Sequence, residues 1–551
     1  MGPNCQLIPA FSIALNLLFC HAPRFICYRR LYHHFFGQSF PRRIVTTCQV
    51  ENVIRHLDSQ YRSSKRYALL TGATGLLGRY LMRDLLLKGH KLAVLVRPSG
   101  QDRARERIET ILQMWEEELG HRLPRPVLLS GDVTQSNLGL TPKQTRWAKE
   151  YLDQIIHGAA VLNFHGATRN DDPWRTNLTG TANVLEFSKL CDVSHFHYIS
   201  TAYVCGKRDD TVYENELDVQ QEFRNDYEIS KFESESLVHE SNWLKTRTVY
   251  RPAVIVGDSN TGYTSTYHGL FLYLRILAML VPEQKLNEDG VFETPIRVPL
   301  DGDEPRNLVP VDWVSKTISH LVCTPEAHGQ TYHLVPDKCT TTREVIEFCY
   351  DYFHSSGVEF CGTGAERTAD NEFAEKMFEN ISIYAPYETS DPHFDKSNVN
   401  KYAGHLVCPP IDKQMVFRFI EFGKKNRWGK LKPKPPKVGR WIEAHLTEIA
   451  LAAQKTMGAL RINGANRLLK FGLDIHGPGG GQWQLAANNG KFEVTPGLPD
   501  DSSPVLRLSD IQINELLLRD EELTVAHQDE GAIDWTEPLE TVLNEESDMN
   551  F

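Results

Sequence analysis

Short apolar runs alternate with helical stretches from residue 67 onward, and this alternation is the most regular pattern in the chain. The runs have the length and composition of buried strands, and residues 80–88, after the first run, read as a helix. Strands that are separated by helices join through right-handed crossovers into a parallel sheet with helices on both faces. The sequence therefore predicts an α/β fold with a doubly wound parallel sheet. The predicted strands are residues 67–70, 92–96, 127–129, 155–160, 196–200 and 249–256.

A segment rich in proline and lysine at 431–439 divides this region from the C-terminal part of the chain. Prolines at this density favour an extended tether, so we predict a main domain at 67–430 and a linker at 431–439. Residues 440–528 are predicted to form a small α+β domain, and 529–551 an acidic tail. The elements predicted in the small domain are a helix at 441–471, a loop at 477–481, strands at 482–487, 491–495 and 504–508, and a helix at 510–518. Asn488-Asn489-Gly490 suits the turn of a hairpin between the first two strands.

The first 66 residues differ in composition from the rest. No Asp or Glu precedes Glu51, and an apolar run at 7–19 comes before the arginines rather than after them. A secretory signal has its positive charge first, so that interpretation is weak. A membrane-surface anchor, a targeting peptide and non-native sequence upstream of the true start all stay open. We favour the third and expect 1–66 to lie outside the fold.

Overall composition narrows the possible functions. The chain has 551 residues, enough for two to four domains, and a net charge of −11, which disfavours general nucleic-acid binding. Its 11 cysteines include no Cys-x-x-Cys pair, so neither a disulfide scaffold nor a metal site is predicted. This pattern favours a reducing, cytoplasmic location. Peripheral membrane contact stays possible, and the sequence leaves the oligomeric state open.

A glycine-rich segment, Thr71-Gly72-Ala73-Thr74-Gly75-Leu76-Leu77-Gly78, lies between the first strand and the first helix. Gly72 permits a sharp exit from the strand, Gly75 lets the backbone approach a pyrophosphate, and Gly78 lets helix and sheet pack closely. The unpaired amides at the helix N-terminus then face the phosphates. This context predicts a dinucleotide site.

The end of the second strand indicates which dinucleotide binds. A carboxylate there would bind the ribose hydroxyls, whereas Arg97 offers a planar guanidinium to a 2′-phosphate, so we predict NADPH rather than NADH. The alternative is that Arg97 is a solvated surface residue. Asp132 is placed for the adenine edge, although it could equally cap the next turn.

Tyr227 and Lys231 are four residues apart on a predicted helix and share one of its faces. A phenol is a poor acid or base at neutral pH unless a nearby cation lowers its pKa, and Lys231 is predicted to be that cation. Thr201, after the fifth strand, would hold a substrate carbonyl beside Tyr227. By itself Tyr-x-x-x-Lys is more often a solvated helix face, but its position after the cofactor strands favours catalysis.

Together these motifs resemble the extended short-chain dehydrogenase/reductase superfamily, and in particular its thioester-reductase branch, which includes fatty acyl-CoA reductases. The resemblance covers about residues 67–430 and implies a Rossmann-like sheet with a smaller substrate-binding lobe. It implies catalytic roles for Thr201, Tyr227 and Lys231. Asn177 aligns with a structural asparagine of the family that helps to hold the lysine, although simple helix packing would also explain it. Cys205 departs from the family pattern, in which a tyrosine often precedes Gly206.

The predicted cofactor contacts are Thr71, Gly72, Thr74, Gly75, Leu76, Leu77, Gly78, Arg97, Asp132, Val133, Ala159, Tyr227 and Lys231.

The resemblance implies an NADPH-dependent reductase of an acyl thioester or another lipid-like molecule, with an aldehyde or alcohol as product. Two alternatives stay open: a sugar-nucleotide or hydroxysteroid enzyme with the same catalytic groups, and a non-catalytic NADP-binding regulator. The apolar segment 268–281 could line an acyl groove, but a buried helix of the substrate lobe is the favoured interpretation. The C-terminal domain faintly resembles a sterol-carrier-like fold.

Overall fold

The computed structural model describes residues 67–97, 104–366, 368–436, 469–476, 481–488, 491–499 and 505–509. Its largest sheet has seven strands, all parallel. They are β1 (Tyr67–Thr71), β2 (Lys91–Val96), β3 (Val127–Ser130), β4 (Leu152–His157), β5 (His195–Ile199), β7 (Thr246–Pro252) and β12 (Thr331–Leu334). The spatial order is β12-β7-β5-β4-β1-β2-β3, so the sheet winds in opposite directions from strand β1. The predicted Rossmann-like doubly wound sheet is confirmed.

Helices cover both faces of this sheet because its strands are apolar on both sides. The helices concerned are α1 (Leu76–Leu87), α2 (Ala104–Leu119), α3 (Pro142–Tyr151), α4 (Gly180–Leu190), α5 (Asp226–Glu240) and α7 (Val311–Val322). In β1, Ala68 and Leu70 share one core with α1, α2 and α7. Leu69 points to the other face and shares a second core with α3, α4 and α5. Alternation along one strand thus places the cores on opposite sides of the sheet.

A second lobe is built from later parts of the chain. Its helices and strands are α6 (Leu270–Leu280), α8 (Thr342–Phe353), α9 (Glu372–Ile381), α11 (Lys413–Lys425), β9 (Phe292–Val298) and β14 (Ser355–Phe360), and β9 and β14 pair in parallel. A further helix, α10 (Ser397–Ala403), packs on the main sheet core. Two-stranded pairings join β6 (Thr211–Val212) with β15 (His393–Phe394), β8 (Val254–Val256) with β11 (Leu308–Pro310), and β10 (Pro305–Arg306) with β13 (Thr340–Thr341).

Helix α6 contains most of the apolar segment 268–281. Phe271 and Leu274 pack with α8 and α11, whereas Ile276 and Leu280 pack with β9 and α9. The segment is therefore a buried helix of the second lobe, as favoured from the sequence. None of the described helices is long and apolar enough to cross a membrane.

A separate four-stranded sheet lies in the C-terminal part of the chain. Its strands are β16 (Leu469–His476), β17 (Gly481–Asn488), β18 (Lys491–Pro496) and β19 (Val505–Ser509), in the order β18-β17-β16-β19. The hairpin between β17 and β18 agrees with the prediction. Strand β16 is absent from the sequence prediction, which wrongly assigns its first three residues to the helix at 441–471. The sterol-carrier-like resemblance stays a prediction.

Other differences from the sequence analysis concern the main sheet. Strand β12 is not predicted, because Thr331–Leu334 is a short run without a clear pattern. The predicted strand 249–256 is two strands: β7 continues through Pro252, and the chain passes into β8 after Ala253. The predictions for 1–66, for 440–468 and for 510–551 lie outside the described residues, and the domain boundaries stay predictions.

Candidate functional site

The glycine loop leads from β1 directly into α1. Gly72 has a φ of +76°, which glycine adopts readily, and a Cβ there would lie 2.7 Å from the backbone of Gly158. A methyl group at Gly78 would collide with the carbonyl oxygen of Gly72. Gly72 therefore permits the sharp turn, as predicted. Gly78 allows close packing against the loop itself rather than against the sheet, which corrects the predicted reason for this glycine.

The start of α1 is open to an anion. Gly75 is its exposed N-cap residue, with an ordinary φ of −73° and no side chain to cover the helix end. The first amides of a helix have no acceptors within it, and they carry a partial positive charge. Thr74, Leu76 and Leu77 belong to the same edge and are partly buried. The loop therefore fits a dinucleotide pyrophosphate.

Thr71 ties this loop to the end of the neighbouring strand β4. Its Oγ1 accepts hydrogen bonds from the amides of Gly158 (3.2 Å) and Ala159 (3.1 Å), and it lies 2.7 Å from Nδ1 of His157. Because this oxygen already accepts twice, we assign its hydroxyl hydrogen to the bond with Nδ1. Thr71, Gly72 and Ala159 are thus held as one unit at the carboxyl edge of the sheet.

His157 extends this unit toward α5, through Thr181 and Asn177. Its Nε2 donates to Oγ1 of Thr181 at 3.0 Å, and the Thr181 hydroxyl donates to the carbonyl oxygen of Asn177 at 2.5 Å. Burial, together with the charge of Lys231, lowers the pKa of His157 to about 3, so the imidazole is neutral. The sequence analysis assigns His157 only to a strand. A histidine that ends a buried apolar strand is the signal that could have marked it.

Two arginines lie beside the loop on its β2 side. The side chain of Arg97 is 64% exposed, and its Nη1 is 3.9 Å from Oδ2 of Asp132. Asp132 also accepts a hydrogen bond from the amide of Thr134 (2.9 Å), which is the turn-capping alternative considered for this residue. Arg107, on α2, donates to the carbonyl oxygen of Arg97 and to Oγ1 of Thr74 at 3.2 Å. Arg107 is not assigned to the site from the sequence.

Helix α5 brings Tyr227 to the end of β5. Asn225 caps the helix by accepting a hydrogen bond from the amide of Glu228 at 3.1 Å, which fixes the first turn. Tyr227 lies in that turn, and its phenol is close enough to the hydroxyl of Thr201, the second residue after β5, for Thr201 to lower the pKa of Tyr227. The structure thus brings Thr201 and Tyr227 together as predicted.

The electrostatics of Tyr227 differ from the prediction. The pKa of Tyr227 is raised to about 12, chiefly by burial; the carboxylate of Glu228 adds to the rise, and the neighbouring hydroxyl of Thr201 opposes it. The phenol is therefore protonated at neutral pH and can act as a proton donor. The predicted lowering of its pKa by Lys231 is wrong for this structure, because the ammonium group of Lys231 is directed toward β5.

Lys231 is almost fully buried at the same strand end. Its Nζ donates to the carbonyl oxygen of Ile199 at 2.7 Å and lies 4.3 Å from the centroid of the Tyr198 ring. Burial lowers the pKa of Lys231 to about 7, against the opposing effect of the Glu235 carboxylate. The lysine therefore titrates near neutral pH rather than carrying a permanent charge.

Asn177 lies on a π-helical turn (Arg175–Thr179) that leads into α4. Its Nδ2 donates to Oγ of Ser230 at 3.0 Å and to the carbonyl oxygen of Val161 at 3.1 Å, and its Oδ1 accepts from the amide of Val161 at 2.9 Å. Asn177 thus joins the loop after β4 to α5, at the residue that precedes Lys231. Its side-chain bonds in the described residues reach Ser230 and not the lysine itself.

Aromatic rings of the second lobe complete this region. The ring of Phe164 lies 6.4 Å from that of Tyr227, 5.5 Å from Tyr384 and 5.6 Å from Tyr387 (centroid distances). Tyr384 and Tyr387 come from a short 3₁₀ segment, Ser382–Tyr387. Sequence reasoning missed all three, because nothing local in the sequence places this segment against the end of β4.

The remaining predicted site residues have mainly packing roles in this structure. Cys205 is buried and its pKa is raised to about 12 by burial, so it is an unreactive packed thiol. Val133 is buried beside Gly180, and its carbonyl oxygen accepts a hydrogen bond from Asn183 at 2.8 Å. In the described residues, no group of three or more His, Cys, Asp or Glu could hold a metal ion.

Comparison with known proteins agrees with this geometry. Residues 70–318 match an NAD-binding family model described as male sterility protein. A linear gramicidin synthase of Brevibacillus parabrevis is 27% identical over 64% of this chain and 7% of its own length. Aldehyde reductase lnaA of Aspergillus flavus is 26% identical over 66% of this chain and 36% of its own. The chain thus spans a small part of these curated relatives.

A solved structure shows the same fold. The terminal R domain from the myxalamid PKS-NRPS biosynthetic pathway aligns over 67% of this chain and 92% of its own, with 24% identity and a TM-score of 0.53. The glycine loop, whose geometry fits a pyrophosphate, lies within the part that matches the family model. Residues 70–318 are thus similar to an NAD-binding family, and this match supports the predicted resemblance to the extended short-chain dehydrogenase/reductase superfamily and its thioester-reductase branch.

Proposed function

We propose that this protein is an NADPH-dependent reductase that converts an acyl thioester, carried on CoA or on a carrier protein, into an aldehyde or alcohol. The observation that supports it most is that Thr201 and Tyr227 are neighbours at the end of β5, where Nζ of Lys231 donates to the carbonyl oxygen of Ile199 at 2.7 Å. The relatives support the proposed reduction of a thioester to an aldehyde, since they include a gramicidin synthase and an aldehyde reductase.

In this proposal the pyrophosphate of NADPH binds at the N-terminus of α1. Arg97, with Arg107 beside it, would bind the 2′-phosphate, because a guanidinium matches phosphate geometry and stays charged. Lys231 would hold the nicotinamide ribose. The residues that would contact the cofactor are Thr71, Gly72, Thr74, Gly75, Leu76, Leu77, Gly78, Arg97, Asp132, Val133, Ala159, Tyr227 and Lys231.

When bound, NADPH supplies a hydride to the carbonyl carbon of the thioester. Thr201 orients the carbonyl oxygen through its hydroxyl, and Tyr227 donates a proton to that oxygen as negative charge develops on it. A protonated phenol is the required form of the acid, and the raised pKa of Tyr227 keeps it so at neutral pH. Lys231 contributes positive charge beside this site in its protonated form.

The overall step converts thioester, NADPH and one proton into aldehyde, thiol and NADP⁺. The tetrahedral adduct then loses its hydroxyl proton, its C=O bond re-forms as the C–S bond breaks, and the departing thiolate takes up a proton to become the free thiol. An alcohol would require a second hydride, from a second NADPH, and a second proton, donated by the same residues. The rings of Phe164, Tyr384 and Tyr387 beside Tyr227 are suited to an apolar acyl chain. A cytoplasmic location remains part of the proposal and rests on the cysteine pattern.

The experiment is to incubate the full chain with NADPH and, in separate reactions, acyl-CoAs, a carrier-protein thioester, sugar nucleotides and steroids. Loss of absorbance at 340 nm that depends on a thioester, with aldehyde or alcohol formed, supports the proposal. Turnover with a sugar nucleotide or a steroid alone would reject it in favour of the alternative enzyme classes. Binding of NADPH without turnover of any compound, including the carrier-protein thioester, would favour a regulator.

A further inference from the structure

Behind the catalytic face of α5 lies a buried group of charges that the proposed reaction does not use directly. Glu235 is one helical turn beyond Lys231 on the same face of α5, and its side chain is completely buried. A buried carboxylate is costly unless it is paired, and here its position makes it the acidic neighbour of Lys231. The electrostatic effect of Glu235 on Lys231 favours the ammonium form.

Glu235 is shared with a second cation. Arg251, on β7, donates to Oε1 of Glu235 from Nε at 3.0 Å and from Nη2 at 2.6 Å. Its Nη1 lies 3.2 Å from Nε2 of His333 on β12. The other oxygen of Glu235, Oε2, is buried with no hydrogen bond of normal geometry to the described residues. Arg251 is itself 1% exposed, so the carboxylate and guanidinium form an ion pair inside the protein.

The other buried titratable groups around this pair are neutral at pH 7. Burial lowers the pKa of His157 and His333 to about 3, and burial raises the pKa of Tyr198 and Tyr227. His239, on the next turn of α5, is 39% exposed, and its Nε2 lies 3.6 Å from Oε1 of Glu235. Glu235, which is paired with Arg251, is therefore the buried charge that acts on Lys231.

We propose that Glu235 and Arg251 together set the charge of Lys231, with Glu235 stabilising the ammonium group and Arg251 limiting that stabilisation. Glu235 is thus a positioning residue that acts through Lys231 rather than a catalytic residue. The charges of the ion pair cancel, so protonation of Lys231 adds one uncompensated positive charge to a buried region. This balance explains why the lysine can gain or lose its proton near neutral pH. The functional meaning of the inference rests on the role proposed for Lys231.

The two members of the ion pair have opposite predicted effects. Glu235→Gln removes the carboxylate that favours the ammonium form and leaves the buried charge of Arg251 unopposed, so the lysine titrates at lower pH. Arg251→Gln leaves the carboxylate free to act on Lys231, so the lysine titrates at higher pH. If the pair served only to hold α5 against β7, both substitutions would weaken the protein in the same way, with no opposite shift.

The test is the titration of Lys231 in the cofactor-free full chain, labelled with ¹³C at lysine Cε, with Lys231→Met used to assign its signal. We expect the midpoint to move down by about one pH unit in Glu235→Gln and up by about one unit in Arg251→Gln. Unchanged midpoints, or shifts of the same sign in both variants, would overturn the proposal. This measurement needs no thioester, so it stands apart from the proposed function.

Either single variant decides the question if it folds. If neither does, the variant Glu235→Gln/Arg251→Gln removes the pair as a whole, a change that buried ion pairs often tolerate. Its midpoint should stay within about half a unit of wild type, and a shift of more than one unit would contradict the proposal. Should a thioester prove to be reduced, the alkaline limb of kcat/KM must move in the same directions as the titration.

Discussion

Nζ of Lys231 donates a hydrogen bond to the carbonyl oxygen of Ile199 at 2.7 Å, so helix α5 is tied to the last residue of β5. Thr201 follows two residues later, and its hydroxyl is close enough to the phenol of Tyr227, one turn before Lys231 on the helix, to lower the pKa of Tyr227. A single strand end thus fixes all three residues. Thr71, His157, Thr181, Asn177 and Ser230 extend this arrangement by hydrogen bonds to the glycine loop.

The hydroxyl of Tyr227 should be needed for turnover and not for cofactor binding. Because Tyr227 is the proposed proton donor, Tyr227→Phe should lower kcat with a thioester by at least about 100-fold while the Kd for NADPH changes little. Tyr332→Phe is the control, since it removes another buried hydroxyl, one that donates to the carbonyl oxygen of Ala327 away from this site. Steady-state kinetics and NADPH fluorescence make the comparison. Equal activity of Tyr227→Phe and wild type would reject the role.

Two glycines of the loop should respond differently to a single methyl group. A Cβ at Gly75 has one neighbour, the carbonyl oxygen of Gly72 at 3.3 Å, whereas one at Gly78 collides with that oxygen. Gly75→Ala should therefore keep Tm nearly unchanged but weaken NADPH binding about tenfold, because the methyl group blocks the open helix end. Gly78→Ala should lower Tm. Normal NADPH affinity in a folded Gly75→Ala protein would argue against the proposed pyrophosphate site.

Arg97 should distinguish the two dinucleotides. Arg97→Ala should raise the Kd for NADPH about tenfold and leave that for NADH within about twofold, because only NADPH has the 2′-phosphate. Arg297→Ala, which removes a half-exposed arginine from β9 in the second lobe, serves as the control. Isothermal titration with both dinucleotides measures the effect. Parallel losses for NADPH and NADH would show that Arg97 does not select the phosphate.

The buried ammonium group of Lys231 should make the folded protein less stable at low pH. Its pKa of about 7 lies below the ordinary value of 10.5, so the unfolded chain binds the proton more tightly and stability rises with pH between these two values. Lys231→Met should therefore be inactive, yet more stable than wild type at pH 6 by about 2 kcal/mol or more. The advantage should shrink as pH rises from 7 to 10. Urea denaturation at several pH values tests this, and a pH-independent difference would contradict it.

The sequence was sufficient for the features that depend on local pattern. Strands β1 to β5 were found within three residues at each end, because each is an apolar run between polar stretches, and the glycine loop and Tyr227-Lys231 have recognisable spacing. Their convergence also followed, since the carboxyl ends of parallel strands meet at one edge of the sheet.

What sequence reasoning missed depends on contacts between distant segments. His157 matters through Thr71 and Thr181, respectively 86 and 24 residues away, and no spacing rule connects them. Phe164 meets Tyr384 only because the second lobe folds back onto β4. The pKa of Tyr227 was predicted with the wrong sign, since the effect of burial on a phenol and on Lys231 cannot be seen along the chain.

The most direct test of the central claim is the fate of deuterium from NADPH labelled at the transferable C4 position. The full chain is incubated with this NADPH and an acyl thioester, and the product is examined by mass spectrometry. We predict an aldehyde with one deuterium on its former carbonyl carbon, or an alcohol with two, and free thiol in equal amount to the thioester consumed. Thiol release without deuterium in the product would indicate hydrolysis and contradict reduction by this site.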